Sequence, residues 1–275
     1  MDFTLTWVNG EATDHVAVGD RGFNYGHGLF ETIRIAEGVA PLWPWHQRRL
    51  CAGATVLGIE VDERRLSQYL TQALAAVPAE GVLKLTLTAG NASSGYRNVP
   101  SAADNTTYCL QFRALPAKRA RLRLQPCQYR LPDNPALTGI KHLNRLDQVM
   151  AARELSADHE GLLLDSEGTV IEALSNNLFC LLDGTWLTPD LSRCGVKGVM
   201  REYLRAEVFP ALGLAVEEAR FGLEDLARAE AVFVCNSVRG IESVSSIVGC
   251  GEWSCVEAVE SIRAQLNAQV PCFNC

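Results

Sequence analysis

Three ionisable side chains in this sequence of 275 residues stand where they could take part in chemistry. Lys141 lies at a predicted junction between a loop and a helix, although a lysine taken alone is most often a solvated surface charge. Glu172 lies between two apolar residues of a predicted hairpin, where an unpaired carboxylate would be costly. Arg49 offers a bidentate guanidinium for an anion, or else it is an ordinary surface cation of a helix.

Two other segments carry groups that suit an anion. Gly198-Val199-Met200 begins a predicted helix, and the exposed backbone N–H groups of a helix start favour negative charge. Asn236 and Ser237 end a short apolar strand and can add two more donors. These residue types indicate a site for an anionic ligand but do not by themselves identify it.

Several well-known catalytic and nucleotide-binding motifs are absent. The sequence has no G-x-x-x-x-G-K-[ST] phosphate loop, no H-E-x-x-H and no G-x-S-x-G. Gly22, Gly26 and Gly28 do not form the dinucleotide-binding pattern, and they lead into a strand instead of a helix. We interpret these glycines as a tight connection between strands, in a loop that can also line a site.

The composition is that of a globular protein, with 48% hydrophobic and 21% charged residues. A net charge of −7 argues against a nucleic-acid partner, which usually requires a basic surface. The start, Met1-Asp2-Phe3-Thr4, has no secretory signal pattern, and no apolar stretch approaches the ~20 residues that span a bilayer. We therefore expect a cytoplasmic protein with neither a membrane nor a nucleic-acid partner.

The ten cysteines do not indicate a disulfide scaffold, because they are scattered along a long chain. Cys109, Cys180 and Cys235 lie in apolar segments and are expected to be small buried hydrophobes. The cysteines near the end of the chain lack a second pair or a histidine at zinc-site spacing, so we expect free thiols and no metal. These are Cys250, Cys255, Cys272 and Cys275.

The predicted elements are hairpins with helices between them. Strands are predicted over residues 29–35, 39–43, 82–88, 107–112, 121–129 and 231–235, and hairpins over 4–18, 161–173 and 178–187. Helices are predicted over 46–57, from the N-cap Asp62 to 76, over 143–155 and over 199–208. The lack of a regular β-α-β alternation favours an α+β fold with largely antiparallel sheets and flanking helices. A basic segment at 114–123, with Pro116, predicts a smaller domain over 1–113 and a larger one over 114–275.

The segment Gly139-Ile140-Lys141-His142-Leu143-Asn144-Arg145-Leu146 resembles the active-site segment of the fold-type IV pyridoxal-phosphate (PLP) enzymes, and among them the aminodeoxychorismate lyases. This family also includes the branched-chain and D-amino-acid transaminases. The resemblance continues in order along nearly the whole chain. Its other motifs are Trp7-Val8-Asn9-Gly10, Asp20-Arg21-Gly22, Tyr25-Gly26-His27-Gly28-Leu29-Phe30-Glu31-Thr32, His46-Gln47-Arg48-Arg49-Leu50, Asp165-Ser166-Glu167-Gly168, Glu172, Asn176-Asn177-Leu178-Phe179, Gly198-Val199-Met200-Arg201 and Cys235-Asn236-Ser237.

The resemblance implies a two-domain fold-type IV enzyme, similar to D-amino-acid transaminase, that uses PLP. Lys141 is then the Schiff-base lysine and the general base and acid, and Glu172 keeps the ring nitrogen of the cofactor protonated. The phosphate ligands implied by the resemblance are Arg49, Val199, Met200, Asn236 and Ser237. Residues implied near the substrate are Glu31, Tyr25 and Arg97, and His27 is expected to be a structural loop residue. A homodimer whose loops complete the neighbouring site is also implied.

The reaction implied is the conversion of 4-amino-4-deoxychorismate to 4-aminobenzoate and pyruvate, a step of folate biosynthesis. Two departures keep a D-amino-acid or related transaminase as the alternative. The arginine that such lyases often carry before Gly95 is missing, although Arg97 follows Tyr96. Glu31 stands where some lyases have threonine and transaminases have glutamate. A third hypothesis is a non-catalytic dimer that does not use the cofactor.

Overall fold

The computed structural model describes residues 5–91, 95–97, 105–117, 119, 122–254 and 257–273. The chain forms two compact units, one of Met1–Pro116 with Ile140–Asn144, the other of Ala117–Gly139 with Arg145–Cys275. The predicted domains 1–113 and 114–275 stay a prediction. Residues 1–4, 92–94, 98–104, 118, 120–121, 255–256 and 274–275 lie outside the described residues. They include the predicted start of the first hairpin, part of the glycine and serine loop, Cys255 and Cys275.

The first unit contains a five-stranded antiparallel sheet in the order β2-β1-β5-β4-β3. Its strands are β1 (Thr6–Val8), β2 (Glu11–Ala12), β3 (Gly28–Ile35), β4 (Gly81–Thr88) and β5 (Thr107–Arg113). Three helices belong to this unit, α1 (Arg21–Tyr25), α2 (Trp43–Leu57) and α3 (Glu63–Ala76). The predicted cap of α3 is confirmed, since a carboxylate oxygen of Asp62 accepts the Arg65 N–H at 2.9 Å.

Strand β3 separates two environments, because successive side chains of a strand point to opposite faces of the sheet. Leu29, Glu31, Ile33 and Ile35 are buried, while the residues between them are only half-buried. Helix α2 packs on β3. The buried series is apolar except for Glu31, so this carboxylate needs partners.

The second unit contains a nine-stranded mixed sheet in the order β11-β10-β9-β12-β13-β6-β7-β8, with β14 also paired to β13. The strands are β6 (Leu122–Leu131), β7 (Glu160–Asp165), β8 (Val170–Ala173), β9 (Asn177–Leu182), β10 (Thr185–Pro189), β11 (Val216–Ala219), β12 (Ala231–Asn236), β13 (Gly240–Ile247) and β14 (Gly251–Glu252). The pairs β10/β11, β6/β13 and β6/β7 are parallel, and the other pairs are antiparallel.

The helices of the second unit are α4 (Leu146–Ala152), α5 (Val199–Tyr203), α6 (Phe209–Ala211), α7 (Leu223–Leu226) and α8 (Glu257–Gln269), with a final 3₁₀ turn at Pro271–Phe273. A π-helical stretch, Leu204–Val208, joins α5 to α6, so the chain is helical from residue 199 to residue 211. Strand β12 is buried on both faces, as its apolar sequence predicts, and the ring of Phe233 stacks on that of Phe179 at 4.9 Å.

The α+β fold with largely antiparallel sheets is confirmed, but two local predictions are wrong. Residues 39–43 do not pair back as a strand. Only Ala36 and Val39 form a bridge, and α2 already begins at Trp43 because Pro44 fits the first turn of a helix. The glycine-rich stretch contains the short helix α1, which ends at Gly26 with a φ of 64°.

No helix in the described part of the chain is both long and apolar enough to cross a bilayer. Among the same residues, no group of three or more histidine, cysteine or acidic side chains could hold a metal ion. The side chains of Cys180 and Cys235 are buried, and that of Cys109 is half-buried.

Candidate functional site

The segment that carries Lys141 runs beside β3 in the first unit. The Phe30 N–H donates to the Lys141 carbonyl at 3.0 Å, and the Leu143 N–H donates to the Gly28 carbonyl at 2.9 Å. Leu29 and His142 form an antiparallel bridge between these two hydrogen bonds. Residues 140–144 therefore extend the edge of the sheet, and this pairing defines the backbone position of Lys141.

The side chain of Lys141 is half-buried and points over an aromatic ring. Its Nζ lies 4.5 Å from the centroid of Phe30. An ammonium at this distance is attracted by the ring quadrupole, and the ring also excludes water from one side of the amine. The amine thus occupies a defined place beside the sheet and is not a freely solvated surface charge.

Glu31 has two cationic or hydrogen-bonding partners on α2. Its side chain is 1% exposed, and Oε2 accepts from His46 Nδ1 at 2.6 Å. Arg49 Nε donates to Oε1 at 2.8 Å, and Arg49 Nη2 donates to Oε2. His46 and Arg49 are three residues apart, so they share one face of the helix and meet the same carboxylate. We call Glu31, His46 and Arg49 the buried triad.

The charge states of the buried triad follow from these contacts. Burial by itself raises the pKa of Glu31, but the Arg49 guanidinium and the His46 hydrogen bond outweigh it and bring the pKa to about 2. Burial lowers the pKa of His46, and the charges of Arg49 and Lys141 lower it further, against the opposing effect of Glu31. At neutral pH the triad therefore holds an ionised carboxylate, a neutral imidazole that donates from Nδ1, and a guanidinium oriented by two hydrogen bonds.

Tyr25 and Arg97, the other residues predicted near a substrate in this unit, lie at a separate loop. The Gly95 N–H donates to Tyr25 Oη at 3.0 Å, and the rings of Tyr25 and Tyr96 are 5.5 Å apart. Arg97 is exposed, and no described contact joins it to the buried triad. The structure therefore does not bring these two residues together with Glu31 through direct contacts.

Arg21 and His27 hold the same loop. The guanidinium of Arg21 donates to the Gly95 carbonyl at 2.9 Å and to His27 Nδ1 at 3.0 Å. His27 Nε2 lies 2.9 Å from the Leu57 carbonyl and, because Nδ1 accepts from Arg21, Nε2 is the nitrogen that donates. Both ring nitrogens of His27 are thus used within the protein, and its role as a structural loop residue stays a prediction.

Glu172 lies on β8 in the second unit and is buried. Its Oε2 accepts the Val196 N–H at 2.9 Å. Gly195 has a φ of 88°, and a side chain there would lie 2.8 Å from Ile171 and 2.9 Å from Leu191. Glycine is therefore required for the backbone to approach this carboxylate, which confirms that Glu172 is no solvated strand charge.

The chain after Val196 connects Glu172 to a helix start. Asn177 Nδ2 donates to the Val196 carbonyl at 2.9 Å, and the Lys197 N–H donates to the Gly139 carbonyl at 3.0 Å. At Gly198 a Cβ would lie 2.0 Å from Asn177 Oδ1, so only glycine fits before α5. This segment links the acid Glu172 to the first N–H groups of α5.

Val199 and Met200 open α5, and both side chains are buried. Gly198 precedes them as the N-cap without a side-chain hydrogen bond, and the first N–H groups of a helix have no acceptor within it. These groups and the helix dipole suit a phosphate. The adjacent Arg201 is fully buried and serves structure, since it donates to Thr188, Pro189 and Glu218.

Asn236 ends β12, and its side chain is used within the protein. Its Oδ1 accepts the N–H groups of Val238 at 3.0 Å and Arg239 at 2.8 Å, and its Nδ2 donates to Asn176 at 2.7 Å. The amide shapes the turn that presents Ser237. Any contribution of Asn236 to an anion would therefore come from its backbone.

The structure joins the predicted residues in two groups, one in each unit. In the first, Arg49 and Glu31 are in direct contact, and Lys141 is paired by its backbone to β3. In the second, Glu172 is continuous with the α5 start through Val196. Sequence reasoning left His46 without a role, and the signal that could have assigned it was the spacing of His46 and Arg49 on a helix opposite a buried acid.

The sequence comparison identifies the family to which this chain belongs. Residues 28–247 match the model described as Amino-transferase class IV, and the chain belongs to this family. The chain is 35% identical over 255 residues to aminodeoxychorismate lyase of Vibrio harveyi, covering 88% of this chain and 91% of that protein. It is 27% identical to a putative branched-chain-amino-acid aminotransferase of Methanocaldococcus jannaschii, covering 88% of each chain.

Among solved structures, 4-amino-4-deoxychorismate lyase from Pseudomonas aeruginosa superposes with a TM-score of 0.90 at 38% sequence identity. The match covers 97% of this chain and 99% of that one. The fold-type IV architecture and the resemblance to aminodeoxychorismate lyases predicted from the sequence are thus confirmed.

Proposed function

We propose that this protein is a PLP-dependent lyase that converts 4-amino-4-deoxychorismate into 4-aminobenzoate and pyruvate. The observation that carries the proposal is the full-length likeness to the Pseudomonas aeruginosa lyase, at 38% identity with a TM-score of 0.90. The 35% identity to the Vibrio harveyi lyase over 88% of the chain supports it independently.

The described residues fit PLP by their chemistry. Lys141 offers an amine for the aldehyde, and Glu172 offers a buried carboxylate for the ring nitrogen. Arg49, held by Glu31, offers a guanidinium for the phosphate. The phosphate also requires backbone and hydroxyl donors, for which we propose Val199, Met200, Asn236 and Ser237.

When bound, PLP supplies an electron sink for the carbon that bears the substrate amine. Glu172 holds the proton on the ring nitrogen, which makes that sink effective. The amine of Lys141 removes the proton from the amine-bearing carbon of the substrate. The neighbouring C–O bond then breaks, and the ring becomes aromatic. Lys141 returns a proton to the departing enolpyruvyl group, which leaves as pyruvate.

Glu31 takes part in this proposal through Arg49 and not through the substrate. Its carboxylate is buried and saturated by Arg49 and His46. We therefore assign to Glu31 the positioning of Arg49. Tyr25 and Arg97, which border the Gly95–Arg97 loop, stay candidate substrate contacts.

One assay separates the lyase from a transaminase, which the glutamate at position 31 and the Methanocaldococcus jannaschii relative keep as the second candidate. The PLP-loaded enzyme is given 4-amino-4-deoxychorismate without any keto acid. The lyase proposal predicts equal amounts of pyruvate and 4-aminobenzoate. Turnover that starts only when a keto acid is added supports the transaminase. Purified protein that neither retains PLP nor turns over either substrate supports the non-catalytic hypothesis.

We also propose a homodimer in the cytoplasm. Helix α4 exposes Leu146, Val149 and Met150, an apolar stripe of the kind that a partner chain covers. The described cysteines are free thiols, as expected in a reducing compartment. Light scattering after size exclusion tests the dimer, and a monomeric mass at micromolar concentration contradicts it.

A further inference from the structure

Phe30 lies under two ammonium groups and not one. Besides Lys141 Nζ at 4.5 Å, Lys84 Nζ lies 5.3 Å from the same ring centroid. Lys84 belongs to β4 and pairs with Thr32, while Phe30 pairs with Thr86. Lys84 and Phe30 are thus diagonal neighbours on one face of the sheet, a separation that long side chains bridge.

Among the described residues, no carboxylate balances the charge of Lys84. Its side chain is half-buried, and burial together with the charge of Arg113 lowers the pKa of the ammonium, opposed by the Cys109 thiol. No carboxylate is among the charged groups that act on Lys84 in the described part of the chain. The ring of Phe30 compensates only a part of the lost hydration, because a cation–π contact is weaker than the hydration of an ammonium group.

We propose that Lys84 binds a carboxylate of the substrate and is a specificity-determining residue of the lyase. This inference rests on the proposed function. A substrate whose amine-bearing carbon lies within reach of Lys141 Nζ also lies beside Phe30, and the second cation over that ring attracts an anionic group. The ligand class is a dicarboxylate with an amine. Amines without a carboxylate lack the group that Lys84 recognises.

The test measures ligand binding by the PLP-loaded enzyme. The probe is chorismate, which carries both carboxylates but has a hydroxyl in place of the amine and so is not turned over. Lys84→Met keeps the length of the side chain and removes the charge, and Lys84→Gln is a second variant with a polar end. A charge-assisted hydrogen bond of about 1.5–3 kcal/mol predicts that both weaken chorismate about 10- to 150-fold.

The KM for 4-amino-4-deoxychorismate is expected to rise by the same factor, with a smaller change in kcat. Lys84→Arg keeps the cation and is expected to restore most of the affinity. Arg48→Met is the matched control, because Arg48 also lies over an aromatic ring, Trp45 at 4.2 Å, but is exposed on α2. It should leave the chorismate affinity unchanged.

Retention of the visible absorbance of bound PLP shows that a variant is folded and loaded. A Lys84→Met or Lys84→Gln enzyme that is loaded and binds chorismate as tightly as the wild type overturns the proposal. Wild-type enzyme that binds alanine but not chorismate contradicts the lyase function instead. The comparison of Lys84 variants is then made with alanine, where an unchanged affinity again overturns the role of Lys84.

Discussion

Replacement of Glu31 by glutamine tests whether the buried triad is held by charge. The substitution keeps the shape of the side chain but leaves the Arg49 guanidinium, which is only 13% exposed, opposite a neutral amide. Removal of one partner of a buried ion pair typically costs about 3–5 kcal/mol. Because Arg49 retains some access to water, we expect a loss near the lower end, about 3 kcal/mol of the free energy of unfolding. This corresponds to a fall in Tm of roughly 6–12 °C.

The assay is urea unfolding at neutral pH, with and without bound PLP. Loss of the orientation of Arg49 is also expected to weaken PLP binding about tenfold, since a hydrogen bond to a charged group is worth about 1.5–3 kcal/mol. The matched control is Glu80→Gln. Glu80 pairs with Arg34 at 3.6 Å, but it is exposed, so its loss is expected to cost less than about 1 kcal/mol.

If Glu31→Gln lowers the free energy of unfolding by less than about 1 kcal/mol, as the Glu80 control does, the buried triad is not held by charge. The variant Arg49→Met makes the test stricter. If the two residues act through each other, the effects of Glu31→Gln and Arg49→Met are not additive, and the coupling free energy exceeds about 0.5 kcal/mol. Additive losses would mean that each residue stabilises the fold independently.

Four further predictions use the same protein. Lys141→Ala is expected to abolish both the visible absorbance of bound PLP and turnover; a variant that keeps the absorbance would place the cofactor lysine elsewhere. Glu172→Gln is expected to retain PLP but to slow proton removal severely, measured by single-turnover kinetics with substrate deuterated at the amine-bearing carbon, and near-normal turnover would contradict its role. Because the pKa of Glu31 is lowered from 4.5 to about 2, its stabilising effect is complete above roughly pH 5 and is lost as the pH falls toward 2. The free energy of unfolding should therefore fall more steeply with decreasing pH for the wild type than for Glu31→Gln. Equal pH dependence of the two proteins would contradict the assigned pKa. Gly195→Ala is expected to destabilise the protein by more than about 1 kcal/mol, because of its φ of 88° and the contacts its Cβ would make, whereas Gly168→Ala, also at positive φ but with open space around it, should cost less.

The sequence predicted the fold class because its signals are local. Asp62 caps α3 through its own side chain. The apolar sequence of β12 by itself predicts a strand that is buried on both faces of a sheet. The error at residues 39–43 is also local. A strand pattern of a few residues competes there with a helix start at Trp43, and Pro44 favours the helix.

The site was predictable in its residues but not in their contacts. The order of the motifs named Lys141, Glu172 and Arg49, yet no local pattern shows which groups satisfy a buried charge. Glu31 was expected near the substrate, whereas in the folded chain its carboxylate accepts hydrogen bonds from Arg49 and His46. Lys84 belongs to no recognised motif. Its proposed role depends on a contact with the same ring, Phe30, that Lys141 contacts.

By itself, the sequence determined the family, most of the elements and the candidate chemistry of Lys141. These features depend on residue types and on their order along the chain, and both can be read directly from the sequence. Only the tertiary structure decided that Lys141 is paired to β3, that Glu31 orients Arg49 and that Lys84 faces the ring of Phe30. Such contacts join residues many positions apart, and their partners are selected by burial, which exists only once the sheet and α2 have packed together.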